Sequence, residues 1–260
     1  MWVWTAAGDK AAVLRYGAGC LRTALRGGAG NDRTGEDGLI RAVFWDNDGV
    51  LVDTEKLYYQ ATRELLLTTG VELTEELFRR ISLVEGRTSF ILAAERGVPQ
   101  AEIDRLHAER NRRYTELLEG GVRIMEGVEE ALGALRGSVV QGVVTSSRKE
   151  HFDTMHRGTG LLSNFDFILT REDFTLSKPD PEPYRKAMER CGLTPEECAV
   201  VEDSPRGLES ALKAGIRCLV VPNALTRGDA FTGAWRVLAS CREVPGEVQR
   251  IDGNRGKPGR

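Results

Sequence analysis

The stretch AVFWDNDGVLVDT, residues 42–54, decides the fold, because an apolar run ends abruptly within it at two aspartates. Consecutive alanine, valine, phenylalanine and tryptophan suit a strand that is buried on both faces, as in a parallel sheet. Residues i and i+2 of a strand project from the same face, so Asp46 and Asp48 are predicted to point into one space. Two carboxylates about 4 Å apart repel by about 4 kcal/mol at an effective dielectric of about 20. The pair therefore indicates either a cation bound between the two carboxylates or a proton bound to one of them. The ordinary alternative is a turn at the end of the strand, in which Asp and Gly have only a structural role.

Composition limits the class of protein and of partner. The chain has 260 residues, of which 41% are hydrophobic and 29% charged, so it can form a full core and a second small domain. A net charge of -3 provides no long-range attraction for nucleic acid or anionic lipid, and no apolar stretch reaches the roughly 20 residues that span a bilayer. The five cysteines include no CxxC pair, and their odd number argues against a complete disulfide framework. We expect a cytoplasmic protein with a small-molecule partner; no pattern indicates its oligomeric state.

The two ends of the chain are predicted to be disordered. Residues 1–38 are expected to form a disordered extension, and residues 252–260 an unstructured polar tail. Residues 10–27 bear arginines and few acids, as organelle transit peptides do, but their glycines would interrupt the required amphipathic helix. The opening residues lack a basic segment followed by an apolar one, so a secretory signal is not expected.

After residue 38, short apolar runs alternate with amphipathic stretches, which predicts a parallel sheet flanked by helices. An insertion that is almost entirely helical, residues 55–126, separates the first two strands, and its first helix is predicted to be capped by Asp53 or Thr54. The core is then expected to comprise residues 39–54 and 127–251, completed by Phe231, Ala234, Val237 and Leu238. The predicted strands are 41–45, 139–144, 165–169, 199–202 and 217–221.

Polar side chains follow four of these strands at their carboxyl ends, where open parallel sheets bind ligands. Hydroxyls before a helix form an anion cradle with the free N–H groups of its first turn. Taken singly, each group has an ordinary explanation as an N-cap, a solvated lysine or a turn. Their recurrence at four strand ends favours a site for phosphate and a divalent cation. The groups are Asp46 and Asp48, then Thr145, Ser146 and Ser147, then Lys178, and finally Glu202, Asp203 and Ser204.

The chemistry of these groups suits phosphoryl transfer. Asp46 has the form of a nucleophile that becomes an aspartyl phosphate, and Asp48 could protonate the departing alcohol and then deprotonate water. A hard cation with oxygen ligands, Mg²⁺, would offset the gathered negative charge.

The remaining polar groups are assigned to the metal and the phosphate. Asp203 is expected to join Asp46 and Asp48 as a ligand. Neighbouring side chains on an extended segment diverge, so Glu202 is expected to lie in the site either as a ligand or behind one. Lys178 would hold the phosphate as a point charge. Its oxygens would be bound by Thr145 and by the N–H groups of Ser146 and Asn47.

With these residues in place, the chain resembles the haloacid dehalogenase-like hydrolase superfamily, in the subgroup of phosphoglycolate phosphatase and β-phosphoglucomutase relatives. The resemblance covers residues 40–245 and rests on DNDGVLVDTE, VVTSS, SKPDPEPY and VVEDSPRGLESALKAG, in that order. It implies an α/β, Rossmann-like three-layer core with a parallel sheet, a small all-helical cap and Mg²⁺ dependence. It also implies the roles given above for Asp46, Asp48, Thr145, Lys178 and Asp203, and a metal-site position for Glu202. Dehalogenases lack the second aspartate of the first motif, so dehalogenation is not expected.

The cap distinguishes the possible reactions. By the same resemblance, Arg87 falls in the cap loop that meets the substrate, and Arg110 falls near a lysine of the mutases, although both could be solvated helix residues. Mutases typically carry a histidine near position 58, where this chain has Tyr58. The prediction is a Mg²⁺-dependent phosphatase that hydrolyses a small phosphorylated metabolite, a sugar or organic-acid phosphate, through an aspartyl phosphate. A β-phosphoglucomutase-like hexose phosphomutase is the alternative. A signalling receiver domain fits less well, because receivers have no helical lobe after the first strand. A catalytically inactive binding protein also fits less well, because the full set of acidic residues is present.

Overall fold

The computed structural model describes residues 39–253, so the predicted extension 1–38 and residues 254–260 lie outside it. A six-stranded parallel sheet forms its centre, in the order β3-β2-β1-β4-β5-β6, which confirms the predicted α/β class. The first strand is central, so polar groups that follow it have neighbours on both sides. The strands are β1 Ala42–Trp45, β2 Val140–Val144, β3 Phe167–Leu169, β4 Cys198–Glu202, β5 Arg217–Val220 and β6 Arg236–Val237.

Helices cover the sheet and fill the interval between β1 and β2. The α-helices are α1 Glu55–Leu67, α2 Glu75–Phe78, α3 Ile91–Glu95, α4 Gln100–Glu119, α5 Val128–Leu135, α6 Lys149–Met155, α7 Glu182–Cys191, α8 Pro205–Lys213 and α9 Val244–Gly253. A π-helical segment, Arg79–Val84, continues α2, and short 3₁₀ turns are formed by Leu161–Asn164, Arg171–Asp173, Pro195–Glu197 and Cys241–Glu243.

Both faces of the sheet are buried, as the apolar run of β1 predicts. Val43 and Trp45 point into one cluster, which α5, α6 and α9 complete, while Ala42 and Phe44 point into a second cluster against α7 and α8. This alternation is the period of two expected of a strand. The result is three layers, helix, sheet and helix, around β1.

The segments α1 to α4, called the helical insertion below, have an apolar cluster of their own that includes Leu66, Phe78, Phe90 and Leu106. Helix α1 packs against α4, and Tyr114 of α4 belongs to a smaller cluster that joins the insertion to the core. The insertion therefore lies over the end of β1. That residues 55–126 form a separate domain stays a prediction.

The structure differs from the sequence prediction at three places. Strand β6 is an additional edge strand of two residues, in which Val237 is 54% exposed although it was predicted to lie in the core; Leu238 is buried. Thr54 occupies the N-cap position of α1 but makes no capping hydrogen bond, because its hydroxyl is directed to Asp48. Helix α9 continues to Gly253, past the predicted start of the tail. Among residues 39–253, no helix is long and apolar enough to cross a membrane.

Candidate active site

A cavity of about 420 Å³ opens at the carboxyl edge of the sheet, beneath the helical insertion. Its walls come from the ends of β1 and β2, from the loop before α7, and from α1, α4 and α8. The predicted polar groups thus meet in one space, as the parallel strands require. Lining residues from the core are Asp46, Asp48, Thr145, Ser146, Ser147, Lys178 and Arg206, and from the insertion Glu55, Tyr58, Arg87 and Arg110.

Three buried carboxylates form the floor of the site. Asp46, Glu202 and Asp203 each offer an oxygen, and these oxygens lie within 4.8 Å of one another. Burial is the largest cause that raises the pKa of Asp46 to about 7, and the negative charge of Glu202 adds to it. Burial also raises the pKa of Asp203 well above its ordinary value, and the nearby Glu55 contributes. The cluster therefore favours any added positive charge.

Lys178 supplies part of that charge. Its Nζ donates to Asp46 Oδ1 at 2.9 Å, to Glu202 Oε1 at 2.6 Å and to the carbonyl oxygen of Val144 at 2.9 Å. Burial acts to lower the pKa of Lys178, but the two carboxylates raise it above its usual value. A protonated lysine is thus held between the predicted nucleophile and Glu202.

The donor set fits a hard divalent cation such as Mg²⁺, which prefers carboxylate oxygens. Asp203 has Oδ1 to spare, because Asn223 donates to its Oδ2 at 2.5 Å, and Asp46 could hold the ion through Oδ1, which keeps a lone pair beside the Lys178 donor. Glu202 lies in the cluster, but Oε1 also accepts from Tyr184 and Oε2 lies 3.3 Å from the backbone N–H of Asp203. Glu202 is therefore placed to hold Lys178 as much as a metal.

The Asp48 side chain lies outside this group of three carboxylates, although both aspartates of the first motif were expected to face one cation, and its role as a metal ligand stays a prediction. Its carboxylate accepts from the hydroxyls of Thr54 and Ser147, both at 2.6 Å, with Tyr114 at 3.3 Å and Thr145 at 3.4 Å. The reason is that β1 ends at Trp45. Backbone N–H groups of residues 50 to 52 then turn back to the carbonyl of residue 47, so strand alternation no longer applies.

The second strand end supplies hydroxyls, as predicted. Thr145 is buried and its Oγ1 accepts from the backbone N–H of Ser147 at 3.0 Å. Ser146 Oγ is buried without a hydrogen-bond partner and lines the cavity. An unpartnered buried hydroxyl is costly, so this one is well suited to a bound phosphate oxygen. Asn47, whose N–H was predicted to bind phosphate, is fully buried, and its side-chain Nδ2 lies 3.2 Å from Asp48 Oδ2.

The two predicted arginines of the insertion differ in their surroundings. Arg110 is 7% exposed, and its guanidinium stacks 4.3 Å from the ring centroid of Tyr58. Arg87 is largely exposed and pairs with Glu85 at 3.3 Å. Both side chains line the cavity, but only Arg110 is held in place by packing, because it is buried and stacked on Tyr58. The preceding glycine, Gly86, has φ +67°, and an added Cβ would lie 3.1 Å from Pro179, next to Lys178.

Several residues that the structure brings to the site are not among those predicted from the sequence. Glu55 is buried, and its pKa is raised to about 8 by burial first and by Asp48 second, while Arg206 opposes the rise. Arg206 lines the cavity, and its Nε is buried without a partner. Both residues lie inside the quoted motifs, in DTE and SPR, which was the available signal. Tyr114 offered no such signal, because a tyrosine on the apolar face of a helical stretch is typical of a core position.

Fold and site together define a class: α/β proteins with an aspartate after the central strand, a lysine and acidic groups on neighbouring strand ends, and a helical insertion above them. Residues 43–221 match the haloacid dehalogenase-like hydrolase family, and the chain belongs to this family.

Relatives and solved structures agree with this assignment. The chain is 34% identical over 205 residues to "Phosphorylated carbohydrates phosphatase" of Thermotoga maritima, covering 76% of this chain and 93% of the relative. It is 30% identical over 219 residues to "Protein CbbY" of Cereibacter sphaeroides, covering 80% and 95%. A crystal structure of CbbY from Rhodobacter sphaeroides in complex with phosphate superposes with a TM-score of 0.66 at 27% identity, covering 79% of this chain and 96% of that one. A putative β-phosphoglucomutase structure from Thermotoga maritima matches with a TM-score of 0.59 at 30% identity, covering 81% and 99%.

Proposed function

We propose that this protein is a Mg²⁺-dependent phosphatase that hydrolyses small phosphorylated sugars through an aspartyl phosphate on Asp46. The observation that carries the proposal is the separation of the two aspartates of the first motif. Asp46 lies among carboxylates and Lys178, whereas Asp48 lies among hydroxyl donors. Different surroundings for two neighbouring carboxyl groups are what a nucleophile and a separate general acid require.

Asp46 is the group that attacks phosphorus. Lys178 donates to Oδ1, which leaves the other carboxylate oxygen to form the new bond. That oxygen bonds to phosphorus as the bond from phosphorus to the ester oxygen breaks. Attack requires an ionised carboxylate, and the pKa of Asp46 is about 7 with Lys178 beside it. A Mg²⁺ ion bound by Asp46 and Asp203 would offset the charge that gathers on carboxylates and phosphate.

Asp48 moves the protons. In the first step its proton passes to the departing alkoxide, which leaves as an alcohol. In the second step Asp48 takes a proton from water, whose oxygen bonds to phosphorus while the bond to Asp46 breaks. Inorganic phosphate leaves and Asp46 is restored. The hydroxyls of Thr54 and Ser147 hold Asp48 through both steps.

The cavity supports a small polar substrate. Its volume of about 420 Å³ and its cationic lining, with Arg110 fixed over Tyr58, suit a phosphorylated sugar or organic acid. Relatives carry the names "Phosphorylated carbohydrates phosphatase" and "N-acetylmuramic acid 6-phosphate phosphatase". A second CbbY crystal structure from Rhodobacter sphaeroides, of a mutant, is in complex with xylulose-1,5-bisphosphate. These names favour a sugar phosphate over an organic-acid phosphate. A cytoplasmic location and the lack of a nucleic-acid or membrane partner stay predictions from composition.

Tyr58 favours a phosphatase over a mutase. By the family resemblance, mutases have a histidine at this position. The Tyr58 ring centroid lies 5.0 Å from the ring centroid of Tyr114 and 4.3 Å from Cζ of Arg110. A phenol stacked in this way has no basic nitrogen to exchange protons near neutral pH. Nothing at this position would then delay Asp48 from activating water.

A panel of sugar, glycerol and organic-acid phosphates tests the proposal through release of inorganic phosphate with Mg²⁺. We expect release from at least one sugar phosphate, and loss of release with EDTA or in Asp46→Asn. Asp153→Asn is the control, because Asp153 is an exposed aspartate paired with Lys149. Full activity of Asp46→Asn would contradict the nucleophile. Isomerisation of glucose 1-phosphate with a bisphosphate primer, without net phosphate release, would establish the mutase instead.

A further inference from the structure

Asn47 stands between the two aspartates of the first motif, and its side chain is completely buried. The amide Nδ2 lies 3.2 Å from Oδ2 of Asp48 and 3.1 Å from the sulfur of Met155. The amide Oδ1 lies 2.7 Å from Nε2 of His156. Every polar atom of this buried amide therefore has a partner, and one of the partners is the proposed general acid.

His156 follows directly after α6 and is 4% exposed. Burial lowers the pKa of His156 to about 4, so the ring is neutral near pH 7. A neutral imidazole carries its proton on one nitrogen and accepts on the other. Nε2 faces an amide oxygen, which only accepts, so the proton lies on Nε2. Nδ1 lies 3.3 Å from the hydroxyl of Thr159, which also donates to the carbonyl oxygen of His156 at 3.2 Å.

The direction of the Asn47 amide follows from these contacts. With Oδ1 toward His156, the Nδ2 group donates toward a carboxylate and a thioether, which both accept. The opposite orientation would place the amide oxygen against the Asp48 carboxylate, where two acceptors repel. The hydrogen bonds thus run in one direction, from His156 through Asn47 to Asp48.

We propose that His156 and Asn47 are positioning residues that hold the Asp48 carboxyl group in the orientation required for proton transfer to the leaving alcohol. This inference rests on the proposed phosphatase function. The other close donors to Asp48, Thr54 and Ser147, are hydroxyls that can rotate to follow the carboxylate. The amide cannot, because His156 fixes its far end. Such a fixed donor limits rotation of Asp48, and small misplacements of a catalytic group are costly in rate.

The leaving group distinguishes this role from general structural support. An alkyl phosphate, such as a sugar phosphate, needs a proton on its departing oxygen, whereas p-nitrophenolate departs without one. Damage to the positioning of Asp48 should therefore lower kcat/KM for an alkyl ester more than for p-nitrophenyl phosphate. Damage to folding or to phosphate binding should lower both equally.

The experiment measures kcat/KM with Mg²⁺ for p-nitrophenyl phosphate and for the alkyl ester that the wild-type protein hydrolyses fastest. His156→Leu removes the donor and should reduce the ratio of alkyl to p-nitrophenyl activity by about tenfold, a part of what general acid catalysis supplies. His156→Gln retains an N–H donor and should restore most of the ratio. Met188→Leu, a buried methionine of α7 in the apolar cluster on the other face of the sheet, should leave the ratio unchanged.

Asn47→Leu removes the amide without touching the histidine and should reduce the ratio as His156→Leu does, which keeps the test valid if one variant fails to fold. Equal losses on both esters, or a glutamine variant no better than leucine, would overturn the positioning role while leaving the phosphatase intact. Absence of phosphate release from every ester by the wild-type protein would overturn the proposed function and this inference together.

Discussion

The ammonium group of Lys178 lies 2.6 Å from a carboxylate oxygen of Glu202, and both side chains are removed from solvent almost completely. The same nitrogen is 2.9 Å from Asp46, so one lysine is shared by two buried acids. Buried charges are tolerated when each has a partner of opposite sign and further hydrogen bonds. Glu202 meets that condition through Lys178 and the Tyr184 hydroxyl, and its first structural role is to hold the lysine beside the nucleophile.

Replacing Lys178 by methionine should destabilise the protein by about 3 to 5 kcal/mol at pH 7, because it leaves buried carboxylates without their cation. The measurement is the free energy of unfolding in urea. Lys186→Met is the matched control: it breaks a pair with Glu182 on the surface and should cost less than about 1 kcal/mol. Similar costs for both variants would show that Lys178 is not needed to balance the cluster.

Without metal, stability should fall as pH rises from about 6.5 to about 8; below 6.5 the lowered pKa of buried His156 opposes the change. The folded-state pKa of Asp46 is raised to about 7 from 3.8, and that of Glu55 to about 8 from 4.5, in both cases by burial first. A raised acid pKa means that the folded protein binds more protons than the unfolded chain between those values, so the free energy of unfolding decreases with pH there. Unfolding in urea with EDTA at pH 6.5, 7, 7.5 and 8 measures this slope.

Mg²⁺ should reduce that slope, because a cation bound to the folded state stabilises it most where the acids are ionised. The free energy of unfolding should therefore rise with Mg²⁺ more at pH 8 than at pH 5. Asp203→Asn removes one proposed ligand and should lose most of the Mg²⁺ effect. An equal Mg²⁺ effect in this variant would place the ion elsewhere.

Arg110→Ala should lower kcat/KM by about tenfold or more for the sugar phosphate that the wild-type protein hydrolyses fastest. It should change kcat/KM little for a small ester without a sugar, such as p-nitrophenyl phosphate. The reason is that Arg110 lines the cavity from the insertion, is fixed over Tyr58 and makes no hydrogen bond to the proposed catalytic acids among the described residues. Arg105→Ala, on the exposed face of the same helix, is the control. Equal losses on both esters would mean that Arg110 does not read the substrate.

Gly142→Ala should destabilise the sheet by about 1 to 3 kcal/mol, because an added methyl group overpacks a well-filled interior. In β2, a Cβ at this position would meet the ring of Phe167 in β3. Gly133→Ala in α5 is the control, since nothing lies within 4 Å of its added Cβ, and alanine should stabilise this helix by about 0.5 to 1 kcal/mol. Thermal unfolding of both variants measures the difference. A stable Gly142→Ala protein would show that Phe167 can move aside.

The sequence by itself determined the parallel sheet and the location of the site. Apolar runs of four or five residues, such as the one before Asp46, can be satisfied only by burial on both faces, and parallel strands bring their carboxyl ends to one edge. The proximity of Asp46, Lys178 and Asp203 follows from that rule, because each stands just beyond a strand or on the loop that follows one. Local pattern sufficed because the period of a strand is set by its own backbone.

Only the tertiary structure decided which partner each polar group takes. Asp48 leaves the acidic cluster because the chain turns after Trp45, and its donors come from residues as distant as Ser147 and Tyr114. His156 gave no signal in the sequence, since its role depends on the end of α6 meeting Asn47 across 109 positions of the chain. Hydrogen bonds act over about 3 Å, so the choice among possible partners is made only when packing has brought them together.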